Sequence, residues 1–158
     1  MCEILFRGKR LDNGEWVSSG NIITFNDEGD GKMFFIPEMN SKCTCTHDER
    51  DNILSFNSGT FYKVAHETVG QFTGLIDKNG KKIFEGDLIR HYNQSNHPEA
   101  YDLYRVEFDV RGCMWVGRYN DNYAAQLRNY LGEHYEVVGN IHDNPELLEL
   151  SKRRTDNA

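Results

Sequence analysis

Cys43-Thr44-Cys45-Thr46-His47 is the segment whose residue types offer the most distinctive chemistry, because two thiols and an imidazole at alternate positions are soft-metal ligands. A structural zinc takes more ligands than these supply and sets its cysteines further apart, and no second Cys/His pair follows at finger-like distance. Asp48 or a partner subunit could complete the set, so Cys43, Cys45 and His47 stand as metal candidates. The bland reading, which we favour, is a polar surface loop over 38–52 carrying reduced cysteines. The acidic run Asn26 to Gly31 resembles a calcium loop, but Pro37 stands where such a loop carries its bidentate Glu, and its flanks read as strands. An acidic hairpin turn accounts for it better.

Other arrangements fall short of a reaction. Gly74 to Lys82 has the wrong spacing for a phosphate loop and continues as a strand, so it lacks the helix N-terminus such a loop needs. Glu85 and Asp87 flank Gly86 and could divide acid and base roles. The structural reading is that Asp87 ties down backbone N–H groups in the bend. Gln71 and Thr73 suit a cross-strand polar pair or a recognition surface equally. The histidines at 47, 66, 91, 97, 134 and 142 show no metalloprotease spacing, and Ser58-Gly59 lacks the leading half of a nucleophile elbow. No catalytic residue and no cofactor are expected.

The elements that would position these residues are short strands and tight turns. Ile4 to Leu11 and Glu15 to Phe25 read as strands about an Asp12-Asn13-Gly14 turn, with a bend at Gly20. Met33 to Ile36 is a strand stopped by Pro37, and Ile53 to Val64 carries weaker β character. The densest signal is Thr68 to Ile89, a hairpin punctuated by Gly70, Gly74, Gly80 and Gly86, with Asp77 opening its turn. Tyr104 to Asp109 and Cys113 to Tyr119 form another hairpin, turning at Arg111-Gly112. Ala124 to Leu131 reads as one or two helical turns. Tyr135 to Val138 is a strand broken by Gly139 and continued by Asn140, and a helix opens at Asp143-Asn144-Pro145. Short strands with glycine-rich turns and one terminal helix predict a mainly β sandwich or small barrel.

The net charge of the 158 residues is −7, from 25 acidic and 18 basic residues, which argues against a generic nucleic-acid binder. Basic clusters at Arg7-Lys9-Arg10 and Lys152-Arg153-Arg154 read as solvated ends. The N-terminus turns charged too early for a signal peptide, and no apolar run approaches a membrane span. The cysteines at 2, 43, 45 and 113 are therefore expected as thiols in a cytoplasm.

Three blocks, in order, carry a resemblance. They are Phe6-Arg7-Gly8-Lys9-Arg10 with Trp16-Val17, the string Thr68 to Ile89, and Tyr135-Glu136-Val137-Val138-Gly139-Asn140-Ile141-His142-Asp143-Asn144-Pro145-Glu146-Leu147-Leu148. Together they resemble the signature of the YopX-like proteins of bacteriophages and prophages. The resemblance implies a mainly β fold of hairpins with a small, partly open SH3-like barrel portion and a short C-terminal helix, made in the bacterial host cytoplasm. The chain itself reads as one domain over 1–150, with an N-terminal hairpin lobe over 1–67, a barrel-like lobe over 68–150 and a basic polar tail over 151–158. Gly70, Gly74, Asp77, Gly80, Gly86, Asp87 and Asn140 are its structural motif. No activity follows from it. The expected function is a non-enzymatic accessory role through protein binding or self-association. The alternatives are a nucleic-acid-associated barrel, which needs Arg7, Lys9, Arg10, Lys81 and Lys82 to converge, and a metal-binding protein using Cys43, Cys45 and His47.

Overall fold

The computed structural model describes residues 3–27, 31–37, 43–48, 53–92, 101–120, 123–127 and 134–148. The chain is mainly β and divides into two compact units, residues 1–72 and 73–158.

In the first unit, β1 (Phe6–Lys9) and β2 (Trp16–Ser19) form a hairpin closed by the Asp12-Asn13-Gly14 turn. Gly14 takes a φ of 74° there, and its N–H donates to the Arg10 carbonyl at 3.0 Å. After the bend at Gly20, β3 (Ile23–Asp27) pairs with β4 (Gly31–Pro37), and β4 pairs with the long β6 (Ile53–Val64). The remaining strand of this sheet is β5 (Cys43–Asp48), antiparallel to β6. It corrects the expectation of a loop over 38–52. Its Thr residues alternate with Cys, a β-compatible pattern despite the polarity, and β6 supplies a ready template. Residues 38–42 and 49–52 lie outside the described residues. A 3₁₀ turn, His66–Thr68, then leads into β7 (Gly70–Ile76), whose first residues pair with β1. The Thr68 hydroxyl accepts from Lys9 N–H at 2.8 Å and donates to the Ala65 carbonyl at 2.6 Å, which pins that turn to β1.

In the second unit, the later part of β7 faces β8 (Lys82–Phe84) across the Asp77 to Gly80 turn. After the Glu85-Gly86 bend comes a five-stranded antiparallel sheet, ordered β12-β11-β10-β9-β13 and curled into a half-barrel. Its strands are β9 (Asp87–Tyr92), β10 (Tyr101–Asp109), β11 (Met114–Asn120), β12 (Tyr123–Gln126) and β13 (Tyr135–Asn140). The inner face buries Ile89, Tyr104, Val106, Leu127 and Tyr135 together with Ile83. Gly117 is required by close approach, since a Cβ there would lie 2.9 Å from that of Tyr104.

Strand β12 corrects the helical turns expected over Ala124 to Leu131. Alanine is a strong helix former, but intrinsic propensity yields to tertiary context, and pairing with β11 satisfies backbone groups along that strand and lets Leu127 enter the core. Residues 128–131 lie outside the described residues. Gly139 breaks β13 as a register shift between Val137 and Gly139, and residues 145–148 form the helical turn expected after Asn144.

Candidate functional site

The Asp77 to Gly80 turn docks on β13, bringing the central block of the sequence onto its closing block. Asp77 is 5% exposed; its Oδ1 accepts from the N–H groups of Asn79 (2.8 Å) and Lys81 (2.9 Å), and its Oδ2 from Val137 N–H (2.9 Å). Burial alone would push this carboxyl up, but those three donors and the Lys81 charge outweigh it and hold it below the ordinary carboxylate range. Lys78 N–H donates to the Tyr135 carbonyl at 3.0 Å, and its ammonium lies 3.1 Å from Glu136. The edge of β13 is thereby covered.

The remaining motif residues also work on backbone. Gly74, Gly80 and Gly86 take φ of 84°, 80° and 81°, while Gly70 sits in the ladder opposite Arg7. Asp87, 1% exposed, accepts from Phe84 N–H at 2.8 Å across the bend. Asn140 Oδ1 accepts from the N–H groups of His142 and Asp143, both at 2.9 Å. The Thr73 hydroxyl donates to the Ile83 carbonyl and accepts from Leu75 N–H, while Gln71 pairs with Phe6 in the ladder.

The opposite edge of the sheet differs. Tyr123, Ala124, Ala125 and Gln126 carry no charge and no proline, Tyr123 is 56% exposed, and β12 ends the order of the described strands. These residues carry none of the charge or proline that discourages strand addition.

The two faces of the sheet contrast chemically. On the inner face, His91 lies opposite Asp102 and Tyr135, with its ring 5.4 Å from Tyr135, 6.0 Å from Tyr104 and 6.5 Å from His134. Burial lowers the His91 pKa and His134 adds to this, against the opposing pull of Asp102. Burial, with Asp102 and neighbouring tyrosines, pushes the Tyr104 phenol well above its usual range. These rings are in contact, forming a packed floor. On the outer face stand Arg90, Arg105 and Arg118 with Glu107, beside the buried Leu88, Leu103 and Val116, a grouping absent from the expectations because only the strand register assembles it.

The register sets Cys43, Cys45 and His47 at alternate positions of β5, opposite Ser58, Phe56 and Leu54. Among the described residues no group of three His, Cys, Asp or Glu could hold a metal ion. The calcium-like turn lies partly outside the described residues. In the first unit Arg7 stacks 4.7 Å from the Trp16 ring centre, and Arg10 is bound to Asp12 and lies over Tyr62 at 3.8 Å. Lys81 and Lys82 belong to the second unit. No helix among the described residues is long and apolar enough to cross a membrane.

A family model described as YopX protein matches residues 5–149. The chain belongs to the YopX family. That span contains Asp77, Gly80, Gly86, Asp87 and Asn140, the residues that close the turns and cover β13. No curated protein matches the chain. Among solved structures it is similar to the crystal structure of protein EF1440 from Enterococcus faecalis, with 25% identity and a TM-score of 0.50, covering 92% of this chain and 97% of that one. Like that chain, this YopX protein is matched along nearly its whole length.

Proposed function

We propose that this YopX protein is a non-enzymatic accessory protein of phage or prophage origin, acting in the host cytoplasm through protein contacts at β12. The carrying observation is the unequal treatment of the two sheet edges: β13 is covered by the Asp77 turn, whereas β12 is exposed and uncharged. An extended partner strand gains main-chain hydrogen bonds at such an edge. The occupant is a second copy of the chain. Two chains of net charge −7 repel, and an uncharged strand with small central residues, Ala124 and Ala125, allows antiparallel approach about a two-fold axis without opposing like charges.

Light scattering coupled to size-exclusion chromatography across a concentration series tests this reading. A dimer that Gln126→Lys returns to monomer supports it, because a charged side chain on the edge resists burial between strands. Monomer at every concentration, or a dimer indifferent to Gln126→Lys, overturns the β12 contact.

A further inference from the structure

The outer face of the five-stranded sheet gathers positive charge in an otherwise acidic chain. Arg105 on β10 and Arg118 on β11 are directly opposed. Arg90 on β9 stands opposite Leu103, two residues from Arg105 and on the same side of the sheet. Like charges directly opposite in a ladder destabilise it, so this arrangement costs the sheet something unless a counter-charge is supplied.

The protein supplies one such charge. Glu107 Oε2 accepts from Arg105 Nη2 at 2.8 Å and from Arg105 Nε at 3.2 Å, and Glu107 Oε1 accepts from Arg118 Nε. Glu136, opposite Arg90 in the register, is ion-paired with Lys78. Arg105 and Arg118 therefore share the carboxylate of Glu107, while Arg90 is not bound to it among the described residues. Arg90 lies 4.5 Å over the Tyr101 ring, and its Nε is buried with no hydrogen-bond acceptor among the described residues. The Arg105 and Arg118 side chains are 39% and 26% exposed, so a ligand can reach them.

We propose that Arg90, Arg105 and Arg118 form a binding site for a phosphate group. The excess of positive charge matches a phosphate monoester, which carries roughly −1.5 to −2 at neutral pH. Guanidinium forks present parallel N–H donors that fit phosphate oxygens in pairs, and Glu107 fixes two of the forks from one side. Tyr101 holds the plane of the third by stacking. A small molecule and a nucleic-acid backbone both present such a phosphate, and the two differ in how binding responds to salt. The site is independent of the β12 contact.

Calorimetric titration of the full chain with inorganic phosphate and pyrophosphate, and separately with a single-stranded oligonucleotide, provides the test. Arg90→Gln, Arg105→Lys and Arg118→Gln should each weaken binding by about tenfold or more, as expected for losing a charge-assisted pair. Arg105→Lys keeps the charge and removes the fork, so its loss with an unchanged unfolding midpoint separates recognition from folding. Lys78→Gln should leave binding intact. Binding of the small anions alone assigns a small phosphorylated ligand, whereas oligonucleotide binding that falls steeply with salt assigns the backbone. If neither probe binds the wild type, or if all three arginine variants bind as it does, the site is overturned.

Discussion

The two edges of the five-stranded sheet follow opposite rules. At β13, the turn from Asp77 to Gly80 supplies a carboxylate, a backbone N–H and an ammonium to the outer side of the strand. At β12, the four residues are uncharged, Ala125 packs on the core, and Tyr123 is exposed. A sheet that guards one edge so heavily shows that its sequence can protect edges, which makes the uncharged β12 edge informative among the described residues. The motif residues Asp77 and Gly80 lie on the guarded side, as scaffold. Function is better sought where the guarding stops.

The comparison breaks most severely if the guard is removed. Asp77→Ala leaves three buried or half-buried N–H groups without their acceptor, and unfolding in urea should show a loss of about 4 kcal/mol. It should also uncover β13 and raise the association state beyond that of the wild type. The carboxyl is held low when folded, so its contribution is present above about pH 4 and is lost as pH falls through the folded value. An Asp77→Asn chain should lack that part of the acid sensitivity.

A gentler perturbation of the same edge is Gly80→Ala. The φ of 80° disfavours any side chain, yet a Cβ there meets nothing within 4 Å, so the cost is backbone conformation alone, about 1 kcal/mol. The seam between β9 and β13 gives a pH-linked effect. The folded His91 pKa is lowered by burial, so stability is complete above the ordinary value of 6.5 and declines as pH falls from there toward the folded value. His91→Gln should remove that slope, read from thermal midpoints between neutral and mildly acidic pH. Smallest of all is the effect of Gln126→Lys on folding, within about 0.5 kcal/mol, although it should abolish self-association.

Much of this architecture was legible where the signal is local. Asp12-Asn13-Gly14, Asp77 to Gly80 and Glu85-Gly86 are turns because positive φ and side-chain acceptors are written into a few consecutive residues. The Cys43 to Asp48 strand was not legible, since its pattern is polar and its pairing with β6 is a tertiary choice. Ala124 to Gln126 failed for a related reason, a local helix preference overridden by pairing with the neighbouring strand. The arginine row was invisible because residues 90, 105 and 118 meet only through the register of three strands. The role of Asp77 was half visible: its own turn could be read, but not its hold on Val137.

That hold has a kinetic corollary. Asp77 and Val137 are separated by 60 positions in the chain, and β9 finds its second neighbour only in β13. During synthesis the hairpin from Gly70 to Phe84 can form early, while β9 waits with one side unpaired until residues 135–140 have been made. Loop closure over such a span slows the final docking step, so this half-barrel completes from its far end backwards. A chain interrupted before Tyr135 would carry the template strand of the sheet exposed, and the cell would meet it as a substrate for chaperones or proteases.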